Sequence, residues 1–133
     1  HQLPSPNVQQ GIILAREGVK CAIDVSDGLI ADLSKICEAS KVSARIVFSK
    51  LPMDPKLKKA FPRKYTNMAL TGGEDYVLIF TAKRDLMEKL IPILPSPAQI
   101  IGDVHINDGE RVSVLNENNE PISTLKEGWD HFN

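Results

Sequence analysis

The sequence lacks the features that mark membrane, secreted and nucleic-acid-binding proteins. No uninterrupted apolar run approaches the roughly 20 residues of a bilayer-spanning helix, and no basic stretch followed by an apolar one opens the chain as a signal peptide would. With 16 basic and 17 acidic residues and no long run of one sign, the charge disfavours nucleic acid as a partner. We therefore expect a soluble, cytoplasmic globular protein.

Common catalytic signatures are missing as well. The sequence contains no G-x-S-x-G, Walker A, H-E-x-x-H or dinucleotide-binding motif. Its two cysteines, Cys21 and Cys37, have no C-x-x-C spacing, and the histidines His1, His105 and His131 form no ligand pattern. We expect buried, reduced thiols and surface histidines, so any chemistry must depend on other residue types.

The length of 133 residues is that of one compact domain, which buries roughly 65 to 70% of the surface of its unfolded chain. The chain begins with His1 rather than Met, and Pro4 and Pro6 favour an extended start. We expect residues 1–10 to be the remnant of an interdomain linker and residues 11–133 to form an α/β domain. An N-terminal domain is expected to precede them in the natural protein.

Apolar periodicity predicts helices and strands that alternate early in the chain. A stripe of Leu29, Leu33, Ile36 and Cys37 follows a short buried strand, and two late strands flank turn residues like a hairpin. The predicted helices are Val8–Arg16, Gly28–Ser40, Lys56–Ala60 and Arg84–Leu94, and the predicted strands are Cys21–Val25, Ala44–Phe48, Asp75–Ala82, 98–104 and 111–115. This pattern indicates an α+β fold in which helices cover a mixed β-sheet.

The segment DVSDG, Asp24–Gly28, joins the first predicted strand to the second predicted helix. Backbone N–H groups at a helix N-terminus attract anions, so a phosphate could dock there. Asp24 and Asp27 would repel a bare phosphate, but Mg²⁺ could bridge them to it, because this ion binds carboxylates and phosphate oxygens. Alternatively, Ser26 or Asp27 merely caps the helix.

Two further segments carry groups suited to a ligand. In TGGEDY, Thr71–Tyr76, paired glycines let a ligand approach the backbone, and Glu74 and Asp75 supply carboxylates at a strand edge; the alternative is an ordinary turn. In the tail, Trp129 could stack on a flat heteroaromatic ring, or it could plug the edge of the domain. Neither segment is specific by itself.

In their order along the chain, AIDVSDGLIADLSKICEAS, ALTGGEDYVLIFT, IIGDV and GWDHF resemble the C-terminal half of the thiamine-monophosphate kinases. That family shares its fold with aminoimidazole ribonucleotide synthetase. The resemblance implies an enzyme that passes the γ-phosphoryl group of ATP to thiamine monophosphate, giving thiamine diphosphate. It also implies a homodimeric full-length protein whose N-terminal half supplies most ATP and Mg²⁺ ligands, so this half alone is expected to be inactive.

The resemblance also implies roles for individual residues. The expected metal ligands are Asp24 and Asp27, the catalytic residue is Asp27, the ATP-binding residues are Ser26 and Gly28, and the substrate-binding residues are Glu74, Asp75 and Trp129. In-line phosphoryl transfer depends on positioning and on metal neutralisation of phosphate charge, which agrees with these roles. Two alternatives stay open: a related ATP-dependent enzyme that activates an amide, a carboxylate or selenide, and a non-catalytic binding module.

Overall fold

A computed structural model describes residues 7–73 and 77–122. Within these ranges helices and strands alternate as α1 (Val8–Arg16), β1 (Cys21–Asp24), α2 (Leu29–Ser40), β2 (Val42–Val47), α3 (Pro55–Ala60), α4 (Tyr65–Thr71), β3 (Leu78–Thr81), α5 (Arg84–Leu90), β4 (Gly102–Ile106) and β5 (Val112–Leu115). Short 3₁₀ turns follow β2 and α5. No helix in the described part of the chain is long and apolar enough to cross a membrane.

The helix α1 has the bounds that its apolar spacing predicts, Val8–Arg16. Residues 8–10 of the expected linker are therefore helical, and Gln10 among them is buried. The predicted helix from Arg84 is regular only to Leu90, because Pro92 tightens its end into a 3₁₀ turn.

The strands form two small sheets. β1 pairs with β3 in antiparallel fashion, and β2 lies between antiparallel β4 and parallel β5 in the second sheet. The predicted late hairpin is therefore wrong, because β4 and β5 both pair with β2 instead of with each other. The mixed sheet and the α+β class are confirmed.

The helix α2 packs with apolar residues of both sheets. Its residues Leu33, Ile36 and Cys37 are buried against Ala44 and Ile46 of β2, as the predicted stripe requires. Burial raises the pKa of the Cys37 thiol, and both cysteines are free. The thiol of Cys37 is thus buried and reduced as expected, whereas Cys21 is only half-buried.

A second apolar cluster anchors α4, a helix that the sequence analysis did not predict. Leu70 is fully buried and packs with Phe48 and Val114, and the ring of Tyr65 lies 5.8 Å from that of Phe48. This packing fixes the segment that leads directly into Gly72 and Gly73.

The loop between β4 and β5 is tied back to β2 through Asp108. The Asp108 carboxylate accepts a hydrogen bond from the hydroxyl of buried Ser43 at 3.0 Å, and its other oxygen lies 2.9 Å from His105 Nε2. The surface position expected for His105 is met only in part, since this residue is half-buried, with 23% of its side chain exposed. His1 and His131 lie outside the described residues.

The hydrogen bonds of the Asp108 carboxylate predict a loss of folding stability in acid. The hydrogen bond with His105, and next that from Ser43, lower the pKa of Asp108 from 3.8 to about 2. Between these two pH values Asp108 is protonated in the unfolded chain but still ionised in the folded chain. Its contribution to the free energy of unfolding is therefore complete above about pH 4 and is lost as the pH falls to about 2. Urea unfolding of wild type and Asp108→Asn from neutral pH down to about pH 2 should give midpoints that differ near neutrality and converge in acid. A constant difference would contradict this account.

Candidate functional site

The two polar motifs lie at the same end of the sheet formed by β1 and β3. Asp24, the last residue of β1, is in register with Leu78, the first of β3, and Val25 N–H donates to the Val77 carbonyl at 2.9 Å. Because the strands are antiparallel, the segment that follows β1 meets the segment that precedes β3.

Two glycines allow these segments to touch backbone to backbone. Gly28 has φ = 114°, and a Cβ atom there would lie 2.8 Å from the Thr71 carbonyl oxygen. A Cβ atom on Gly73 would likewise collide with the Ser26 carbonyl oxygen. A side chain at either position would force the segments apart, so the close contact between them requires glycine at both positions.

A buried carboxylate holds the DVSDG loop in shape. Asp32 of α2 is fully buried, and its Oδ2 atom accepts hydrogen bonds from the N–H groups of Ser26 at 2.8 Å and Asp27 at 2.9 Å. The capping alternative is wrong for this helix, because the N-cap of α2 is Gly28 and no side chain caps it. Sequence reasoning missed Asp32, although an acidic residue on an apolar helix stripe is itself an unusual signal.

Lys35 connects this buried carboxylate to Asp27. Its Nζ atom lies 2.7 Å from Asp32 Oδ1 and 2.6 Å from Asp27 Oδ2. Burial by itself would raise the pKa of Asp32, but the bonds from Lys35 and from the two loop N–H groups together hold that pKa below its ordinary value. The bond to Asp27, and then that to Asp32, raise the pKa of Lys35, so its ammonium group stays charged near neutrality.

The structure places four of the seven predicted site residues. Asp24 and Asp27 are exposed, the latter with 64% of its side chain accessible, while Ser26 is half-buried and Gly28 is buried. The other three, Glu74, Asp75 and Trp129, lie outside the described residues. The geometry thus joins the first motif to Thr71–Gly73 of the second.

The donor chemistry of this loop suits a hard divalent cation. Carboxylate oxygens are preferred ligands of Mg²⁺, and exposed Asp24 and Asp27 offer them beside a helix start. No group of three or more metal-binding side chains occurs within residues 7–73 and 77–122. An ion at this loop would therefore need further ligands from substrate oxygens, water or another part of the protein.

The α+β fold, with its two motifs in contact through glycines, can be assigned to a known family of proteins. Residues 4–115 match the family model described as AIR synthase related protein, C-terminal domain, and the chain belongs to this family. It is 38% identical over 136 residues to the thiamine-monophosphate kinase of Escherichia coli K12. The aligned region covers 99% of this chain and 41% of that protein. The chain thus spans well under half the length of this curated relative.

Solved structures support the same relationship. The thiamine-monophosphate kinase of Stenotrophomonas maltophilia K279a superposes with a TM-score of 0.72 at 36% identity, covering 90% of this chain and 37% of that one. AaThiL complexed with AMPPCP and TMP gives a TM-score of 0.64 at 27% identity, covering 92% and 42%. The resemblance to the C-terminal half of the thiamine-monophosphate kinases is confirmed.

Proposed function

We propose that the intact protein containing this chain transfers the γ-phosphoryl group of ATP to thiamine monophosphate, and that this chain is its C-terminal half. The observation that carries the proposal is the packing of Gly28 on Thr71 and of Gly73 on Ser26, which unites the two motifs. The kinases that match 99% of the chain, and the AaThiL complex with the ATP analogue AMPPCP and TMP, support this choice of reaction.

Within this proposal Asp24 and Asp27 hold Mg²⁺, with Asp27 as the catalytic residue nearest the transferred group. The ion would neutralise part of the charge on two anionic reactants that otherwise repel each other. The N–H group of Ser26 is already bonded to Asp32, so Ser26 would contact ATP through its hydroxyl group. Gly28, the remaining predicted ATP-binding residue, packs against the Thr71 backbone and would hold the loop beside the nucleotide.

The predicted acceptor site uses the three residues outside the described ranges. Glu74 and Asp75 would contact thiamine monophosphate, and Trp129 would pack on its organic part. Gly73 supports this assignment, because it brings the segment just before Glu74 into contact with the DVSDG loop.

The remaining partner is an N-terminal domain that precedes α1, so the expected linker of residues 1–10 does not include residues 8–10, which are helical. An open groove of about 1630 Å³ runs beside the site and supports this assignment. Its lining includes the exposed apolar residues Phe61, Met68, Val77, Ile100 and Val104. Exposed apolar surface of this kind marks an interaction face. We further propose that the full-length protein is a homodimer in the cytoplasm.

Incubation of the intact protein with ATP, MgCl₂ and thiamine monophosphate should yield thiamine diphosphate and ADP in equal amounts, as measured by chromatography. Trp129→Ala should raise the KM for thiamine monophosphate and leave the KM for ATP unchanged. Production of ADP only with another acceptor, such as an amide or a carboxylate, would overturn the proposal. Absence of any ATP turnover would favour a binding module.

A further inference from the structure

We propose that Asp32 is a positioning residue that, with Lys35, holds Asp27 in its working orientation; this inference rests on the proposed function. Asp32 is the one fully buried acidic side chain among the described residues. An isolated buried charge is costly, so its burial needs compensation from nearby donors. Those donors belong to the loop that carries the predicted catalytic residue.

The backbone part of the arrangement fixes the loop itself. Both N–H groups bonded to Asp32 Oδ2, at 2.8 and 2.9 Å, belong to residues that precede the first residue of α2. Helical hydrogen bonds therefore cannot satisfy them. The same oxygen thus sets the direction in which Ser26 and Asp27 leave the strand, while Gly28 supplies the positive φ angle that closes the turn.

The side-chain part fixes the Asp27 carboxylate. Lys35 lies one helical turn beyond Asp32 and bonds its Oδ1 atom, while the same ammonium group bonds Asp27 Oδ2. Asp27 and Lys35 are 64% and 52% exposed, so their own ion pair would be weak without the buried anchor. Anchored at Asp32, Lys35 restricts the carboxylate before any cation or substrate arrives.

The anchor acts on orientation, so removing it should affect the rate more than substrate affinity. In Asp32→Asn the neutral amide oxygen accepts more weakly from the loop N–H groups than the carboxylate does, and the charge that attracts Lys35 is lost. Lys35→Met retains an apolar stem on an exposed position and removes the bridge alone. A displacement of about 1 Å at a reacting group lowers turnover by about 100-fold.

Suitable controls lie on the same protein. Glu38→Gln changes an exposed carboxylate of α2 that pairs with Arg111 at 3.0 Å, away from the loop. Lys89→Met removes an exposed lysine that pairs with Glu17 at 2.9 Å. Both controls remove one charge of an ion pair that involves no residue of the DVSDG loop.

The experiment measures two quantities on the intact protein and these four variants. Hydrogen exchange followed by mass spectrometry should show faster exchange in a peptide spanning residues 24–28 for Asp32→Asn, while the controls match wild type. In steady-state kinetics, kcat should fall by about 100-fold in Asp32→Asn and less in Lys35→Met, with the KM for thiamine monophosphate unchanged.

Unchanged exchange at residues 24–28 would overturn the proposal. So would a fall in kcat that only follows the unfolded fraction measured by circular dichroism, because that result describes a purely structural role. If wild type makes no thiamine diphosphate, the proposed function fails, yet faster exchange confined to residues 24–28 still upholds the fixing of the loop by Asp32.

Discussion

Asp27→Asn in the intact protein should lower kcat for thiamine diphosphate formation by about 1,000-fold. The substitution keeps the shape of the side chain but removes the negative charge that the proposed metal requires. Its effect on stability should stay below about 1 kcal/mol, because Asp27 pairs with Lys35 at an exposed position and such pairs contribute little. Kinetics and urea unfolding of the same preparations measure both quantities.

Asp54→Asn is the matched control for this substitution. Asp54 is exposed and caps α3, because its Oδ1 atom accepts a hydrogen bond of 2.9 Å from the N–H group of Lys56. Asn fulfils this capping role equally well. Wild-type kcat is expected in this variant. If Asp27→Asn also retained wild-type kcat, the catalytic role of Asp27 would be rejected, and a non-catalytic binding module within the enzyme would become the better interpretation of this half.

Gly28→Ala should impair both folding and activity. A residue with a side chain at φ = 114° is strained by about 1–3 kcal/mol. In addition, the new Cβ atom would lie 2.8 Å from the Thr71 carbonyl oxygen, so the two motifs would have to separate. We expect a loss of stability beyond the strain alone and a fall in kcat of about 100-fold.

Gly18→Ala and Gly109→Ala separate these two effects. Both glycines have positive φ angles, 90° and 100°, but nothing lies within 4 Å of an added Cβ atom. They therefore report the backbone strain without the contact, and their kcat should equal that of wild type. Equal losses of stability in all three variants, with kcat intact in Gly28→Ala, would disprove the role of the contact.

Local sequence patterns predicted the local structure well. The apolar spacing gave α1 and the buried stripe of α2, and Pro92 marked the tightened end of α5. The pairing of β4 and β5 with β2 escaped prediction, since a turn sequence favours a hairpin but cannot report a third strand that competes for both edges. Helix α4 was missed because its packing partner Phe48 is distant in sequence.

In the candidate site, too, the local motifs were predicted from the sequence whereas the contacts between elements were not. The resemblance assigned DVSDG and TGGEDY to one reaction, and the structure brings Ser26 and Gly28 of the first motif against Gly73 and Thr71 of the second. Asp32 and Lys35 were missed, because apolar periodicity does not report which polar side chains of a helix turn toward a neighbouring loop. The individual roles of Asp24, Asp27, Glu74, Asp75 and Trp129 stay predictions.

The central position of β2 has a consequence for biosynthesis. Ser43 on this strand bonds Asp108, which follows 65 residues later, and both neighbours of β2 come from that late part of the chain. Until β4 and β5 have been synthesised, both edges of β2 lack a hydrogen-bonded partner strand. Its apolar residues Ala44 and Ile46 then have no strand beside them. Unpaired edges of this kind can pair with other chains, so β2 is open to misassociation until β4 and β5 have been synthesised.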